Sequence, residues 1–246
     1  MKNKNSASPY RSLNKGHIIE TTKTLWKRIS ERFPDSGLSR VCNELVVIAE
    51  QSAKISEWID RPNLWLKAAA GVFLLSLFSL VLGMFIHIRP DFSLHSISDL
   101  LQTIEAGVND VIFLGLAILF FVTWEKRLKR KRALAALHEL RSLAHIIDMH
   151  QLTKDPERLL EGGSRTASSP ARNMTAFELT RYLDYCSEML AIISKIAAVY
   201  VEKFDDDVTL AAVNELESLT TGLAGKIWQK IMILDVVFAK TSEETL

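Results

Sequence analysis

Hydrophobic residues are arranged along this chain in two ways: periodic in most places, continuous in two. Residues 68–86 read AAAGVFLLSLFSLVLGMFI, nineteen positions without a charge. As a helix this run would extend about 28 Å, close to the hydrocarbon thickness of a bilayer. Residues 111–124, VIFLGLAILFFVTW, are fourteen more and would cover only about 21 Å. That second run reaches full length if its helix begins near Ala106, which places Asn109 and Asp110 at the outer headgroups. The pattern predicts two membrane-crossing helices, 64–88 and 106–124. Between them, 89–105 is a short external connection in which Ile97, Leu100, Leu101 and Ile104 share one face behind a Ser96–Asp99 cap. It reads as a short surface helix or as a leading extension of the second span.

Elsewhere the apolar positions recur every three or four residues, the signature of half-buried helices. Residues 17–61 predict two of them, 17–33 and 38–59, interrupted at Pro34-Asp35-Ser36-Gly37 with Asp35 or Ser36 as the second cap. The expected buried stripe of the second is Val41, Leu45, Ile48, Ser52, Ile55 and Ile59. No breaker occurs from Val108 to Gln151, so the second span is expected to continue as a long helix, 125–151, with Ala133, Leu137, Leu140, Ala144 and Ile147 on one face. Residues 152–174, with Gly162-Gly163 and Ser168-Ser169-Pro170, read as a linker. Residues 175–246 predict further helices. Thr175 and Glu178 form a capping box for one that runs to about Lys203. The Asp205-Asp206-Asp207 run caps 208–219, and 222–240 follows after a kink at Thr220-Thr221-Gly222. The expected fold class is all-α: a two-span transmembrane hairpin with a cytoplasmic helical bundle built from the N-terminal and C-terminal segments.

Charge sets the orientation. The octet after Trp124, EKRLKRKR, holds six basic side chains, Lys126, Arg127, Lys129, Arg130, Lys131 and Arg132, whereas 89–105 holds one base and three acids. Positive residues stay inside, so both termini are expected in the cytoplasm. Trp58, Trp65 and Trp124 lie near the inner ends of the spans, where an amphipathic ring is favoured. Residues 1–16 are basic with no apolar run behind them, and read as a disordered tail rather than a cleaved signal. The expected location is therefore a plasma membrane of the bacterial inner-membrane type. Overall the charge is close to balance, 30 Lys plus Arg against 29 Asp plus Glu. This excludes binding by bulk basic charge, and no nucleic-acid partner is expected. Two cysteines, Cys42 and Cys186, exclude a disulfide framework and a cysteine-rich zinc site.

Candidate chemistry is sparse. In HELRSLAHIIDMH, 138–150, His145 and Asp148 are three apart on a helix and could supply two ligands to a divalent metal. Asp184 and Glu188 are the nearest candidates for completing such a site. The simpler reading is a hydrogen-bonded pair near a helix end. Cys186 lies on an apolar face, where a thiol packs rather than reacts. No glycine-rich phosphate loop, GxSxG or HExxH occurs, so no cofactor and no catalytic residue is expected. The basic run 126–132 is an orientation signal that also suits anionic lipid headgroups. In the first span Ala69, Val72, Ser76, Ser79 and Gly83 recur at 3-4-3-4 spacing, a small-residue face that admits another helix from this chain or a second copy. Asp110 is the candidate acid for an ion path, and with Asp99 and Glu105 it would make an acidic external mouth if several copies surrounded a pore. These features together point to a non-enzymatic oligomeric scaffold or signalling component in the membrane, with the bilayer, further copies and an unidentified cytoplasmic protein as partners. The alternatives are an oligomeric cation-permeable channel and a membrane-anchored metal-dependent hydrolase using His145 and Asp148.

Overall fold

A computed structural model describes residues 12–87, 97–154, 156 and 174–243. Among these the chain forms six helices and no strand: α1 (Lys15–Arg32), α2 (Gly37–Asp60), α3 (Leu64–His87), α4 (Ile97–Leu152), α5 (Ala176–Ala198) and α6 (Asp207–Glu243). They divide into two compact units, one made of Met1–Asp60 and Arg132–Leu246, the other of Arg61–Lys131. α4 contributes residues to both. Most of the expected tail 1–16, the stretch 88–96 and most of the linker 152–174 lie outside the described residues.

The first unit is a bundle of α1, α2, α5, α6 and the final third of α4. Local chemistry sets its helix ends. The Asn14 side chain accepts from the His17 N–H at 3.2 Å and caps α1. Of the two residues expected to cap α2, Ser36 does so: its Oγ accepts from the Ser39 N–H at 3.1 Å. Asp35 instead makes the turn, with φ at 56°, a left-handed conformation that aspartate tolerates better than most side chains. The capping box of α5 is complete. Thr175 Oγ1 accepts from the Glu178 N–H at 3.2 Å, and Glu178 Oε2 accepts from the Thr175 N–H at 2.8 Å. Asp206 caps α6, accepting from the Thr209 N–H at 3.0 Å.

Two boundaries differ from the expected ones. α5 ends at Ala198, short of Lys203. α6 runs unbroken through the expected kink at 220–222. The reason is packing: Leu216, Thr220, Leu223, Ile227, Ile231 and Leu234 are all buried along one side of it. That stripe outweighs the roughly 1 kcal/mol a mid-helix glycine costs. In α2 the buried stripe is also rotated from the expected one. Its centre is Leu38, Cys42, Leu45, Ala49, Ser52, Ser56 and Ile59, while Val41 and Ile55 pack at the margin.

One hydrophobic core unites all five helices. It includes Leu25 and Ile29 of α1, Leu45 of α2, Leu140 and Ile147 of α4, Leu183, Leu190 and Ile193 of α5, and Leu216 and Ile231 of α6. Within it α5 packs against α1, α2 and α6. Two buried polar pairs tie α2 to the end of α5: Tyr200 Oη donates to Ser52 Oγ at 2.8 Å, and Ser56 Oγ donates to the Val199 carbonyl at 3.2 Å.

The second unit consists of α3 and the first two thirds of α4. Residues 97–105, expected as part of a separate connection, are the opening turns of α4. Among the described residues one helix is long and apolar enough to cross a membrane, that of Gly107–Leu152. In α3 the described apolar stretch is Ala68–Ser79, about 18 Å of helix. α3 and α4 meet through Phe73 and Phe121, whose ring centroids are 5.2 Å apart.

Candidate functional site

α4 changes character along its 56 residues. From Leu101 to Trp124 large apolar side chains are exposed on every side, including Val111 and Phe113 at 70% each. A helix apolar all round has no stable face toward water and requires cover. From Ala133 onward burial becomes one-sided: Ala133, Ala136, Leu137, Leu140, Leu143, Ala144 and Ile147 are buried, and His138, Ser142 and His145 are exposed. The basic run 126–132 sits at the changeover.

The six basic residues of that run are not equivalent. Lys129 is largely buried by its neighbours, its side chain only 12% exposed. Its Nζ donates to the Arg61 carbonyl at 2.9 Å and lies 3.0 Å from Glu125 Oε1. That same Glu125 oxygen accepts from the Asn63 N–H at 2.9 Å. Glu125 and Lys129, four apart and therefore on one side of α4, thus satisfy the backbone of Arg61-Pro62-Asn63, where the chain turns into α3. Proline there breaks any helix and leaves these polar groups without helical partners. Arg132 stacks over the Trp58 ring at 4.6 Å, a cation–π contact. Arg127 and Lys131 are exposed. Lys126 is exposed and Arg130 half-buried, and both have further partners.

The small-residue face of α3 is largely uncovered. Ala69, Ser76 and Ser79 are exposed and Gly83 is half-buried. The half-buried positions Ala70, Gly71, Leu74 and Leu77 lie on a neighbouring face. Ser76 Oγ turns back to the Phe73 carbonyl at 2.8 Å. Asp110 is exposed, as is Glu105.

The residues considered for metal chemistry do not gather into a metal-holding group among the described residues. His145 is exposed, and Asp148 Oδ1 accepts from Gln151 Nε2 at 2.7 Å. Asp184 pairs with Arg181 at 2.8 Å and Glu188 with Arg28 at 2.9 Å. Among the described residues no group of three or more His, Cys, Asp or Glu side chains is placed to hold a metal ion. The expected His145–Asp148 hydrogen bond is replaced by the Gln151 contact. Cys42 and Cys186 are fully buried, and burial pushes both thiols up to about 12, so neither is a thiolate at neutral pH.

Sequence reasoning missed His150. Its ring lies against Gly37, the first residue of α2: a Cβ there would collide with His150 Cε1 and lie 3.2 Å from Nδ1. Burial, then Lys154, then Arg40, hold its pKa below the usual histidine value. The HELRSLAHIIDMH segment contains three histidines, and no local pattern marks which one docks on another helix.

Comparison with protein-family models, with curated proteins and with solved structures finds no match for this chain.

Proposed function

We propose that this chain is an integral membrane protein that crosses the bilayer twice, through α3 and α4, with both termini in the cytoplasm. In this reading its location is a plasma membrane of the bacterial inner-membrane type. It acts there as a non-enzymatic oligomeric scaffold or signalling component through its helical bundle.

The observation that carries this reading is the shared core. Residues before Asp60 and after Arg132 pack into one hydrophobic cluster. A bilayer separates its two sides, so segments that share one core must lie on the same side of it. The intervening stretch 61–131 therefore has to cross an even number of times. α4 supplies one crossing by length and composition. α3, whose sequence is uncharged over 68–86, is the helix available for the other. The basic run supports an inner-side location for the bundle, since positive residues are retained there. Two helices leave most of their surface to other neighbours, and the exposed small-residue face at Ala69, Ser76 and Ser79 allows close approach of another copy. In this reading the bundle serves as a docking element.

The test is a set of reporter fusions at each end, an epitope inserted at 88–96, and alkaline extraction of the membranes. Both ends should report inside, the insert outside, and the protein should stay with the pellet. Release at high pH, or ends reporting opposite sides, overturns the reading.

A further inference from the structure

The basic run and the apolar surface preceding it occupy α4 in a particular angular order. At 100° per residue, Arg127 and Lys131 lie about 40° apart. Lys129 lies on the opposite side, turned to the Arg61 carbonyl. Phe113, Leu116, Phe120 and Trp124 fall on the same face as Arg127 and Lys131. They are exposed at 70%, 57%, 50% and 46%, and the Phe120 and Trp124 rings are 5.1 Å apart. Arg127 and Lys131 are exposed and make no ion pair or hydrogen bond among the described residues. Read along the helix, this face is about 15 Å of apolar surface, then an indole, then two unpaired cations about 5 and 10 Å further on. The order of chemistry is that of a phospholipid: acyl chain, interface, anionic headgroup.

We propose that Arg127 and Lys131 form a two-point contact for the headgroup phosphate of an anionic phospholipid whose acyl chain lies along Phe113, Leu116 and Phe120, while Lys129 serves the protein's own α2–α3 junction. This rests on the membrane reading above. The occupant is a lipid rather than a soluble anion because the cations adjoin an uncovered apolar strip, which a free phosphate would leave exposed.

The full-length chain is reconstituted into nanodiscs of four parts phosphatidylcholine to one part phosphatidylglycerol, and lipids retained after mild detergent extraction are quantified. Wild type should retain phosphatidylglycerol above its bulk share. R127Q/K131Q should lose that enrichment. At roughly fivefold per cation the loss is up to about thirtyfold in relative affinity. R127K/K131R, which keeps both charges, should retain it. K129Q should retain it too while lowering the melting temperature. Absence of enrichment in wild type, retention of enrichment in R127Q/K131Q, or equal loss in K129Q overturns the proposal. A chain that does not enter the nanodiscs at all fails the membrane reading instead, so the two failures are distinguishable.

Discussion

Replacing Gly37 by alanine tests whether the end of α4 is docked on the start of α2. The added methyl would overlap His150 Cε1 and lie 3.2 Å from Nδ1 and 3.3 Å from Nε2. No ring atom can keep its place, so either the ring leaves or the α2 terminus shifts. Overpacking of this kind costs about 1–3 kcal/mol. Against it stands alanine's better helix propensity, worth about 1 kcal/mol in a helix interior and less at a first residue. A net loss of about 1–2 kcal/mol is expected, which for a chain of this size lowers the melting temperature by about 2–8 °C. The assay is thermal unfolding of the full chain in mild detergent, followed by circular dichroism at 222 nm. The decisive measurement is the double variant: His150→Ala removes the ring, so G37A/H150A should recover most of the loss relative to H150A alone. The docking argument is wrong if G37A is as stable as wild type, or if the loss persists after the imidazole is gone.

The same residue predicts a pH dependence. The folded state holds His150 below its ordinary value, by burial and then by Lys154 and Arg40, so folding favours the neutral ring. Its contribution is complete above the unfolded value near 6.5 and is lost as pH falls below it. The melting temperature of wild type should drop on acidification from pH 7, and His150→Gln should flatten that drop. An identical profile in the variant would remove His150 as its source. Leu140→Ala, at a position fully buried where α4 enters the core, should cost about 2–5 kcal/mol; a denaturant midpoint unchanged from wild type would mean that α4 does not belong to the bundle. As a scaffold the protein should pass no cations when reconstituted in liposomes, either as wild type or as Asp110→Ala. Wild-type flux abolished by that substitution would replace the scaffold with a channel.

Features that depend on a few neighbouring residues were legible in the chain itself. The Thr175–Glu178 capping box needs only a hydroxyl and a carboxylate three residues apart, and it forms as spaced. The helix periods, the all-α class and the unbroken passage from the apolar run of α4 into its one-sided stretch follow from local composition in the same way. Even Cys186 was readable as packing, because its apolar neighbours recur at helical spacing. The kink expected at 220–222 was not realised because the stability of that segment comes from its own buried stripe, which the rest of the bundle covers. The buried stripe of α2 turned toward Leu38, Cys42 and Ser56 for the same reason: a helix is rotated by the neighbours that cover it.

What the sequence determined alone was therefore the set of helices, the position of the charge changeover and the uncharged lengths on either side of the 88–96 connection. Tertiary structure decided how equivalent-looking residues divide their roles. Six cations in eight positions are indistinguishable in one dimension. Lys129 differs from Arg127 because the Arg61 carbonyl, 68 residues earlier, arrives on one side of α4 and not the other. His150 differs from His145 for a parallel reason, since Gly37 leaves room for one imidazole only where α2 begins. The joining of both flanks into one bundle was expected from the sequence; which faces meet was hidden, because a helix period says that a face is buried and carries no record of what buries it.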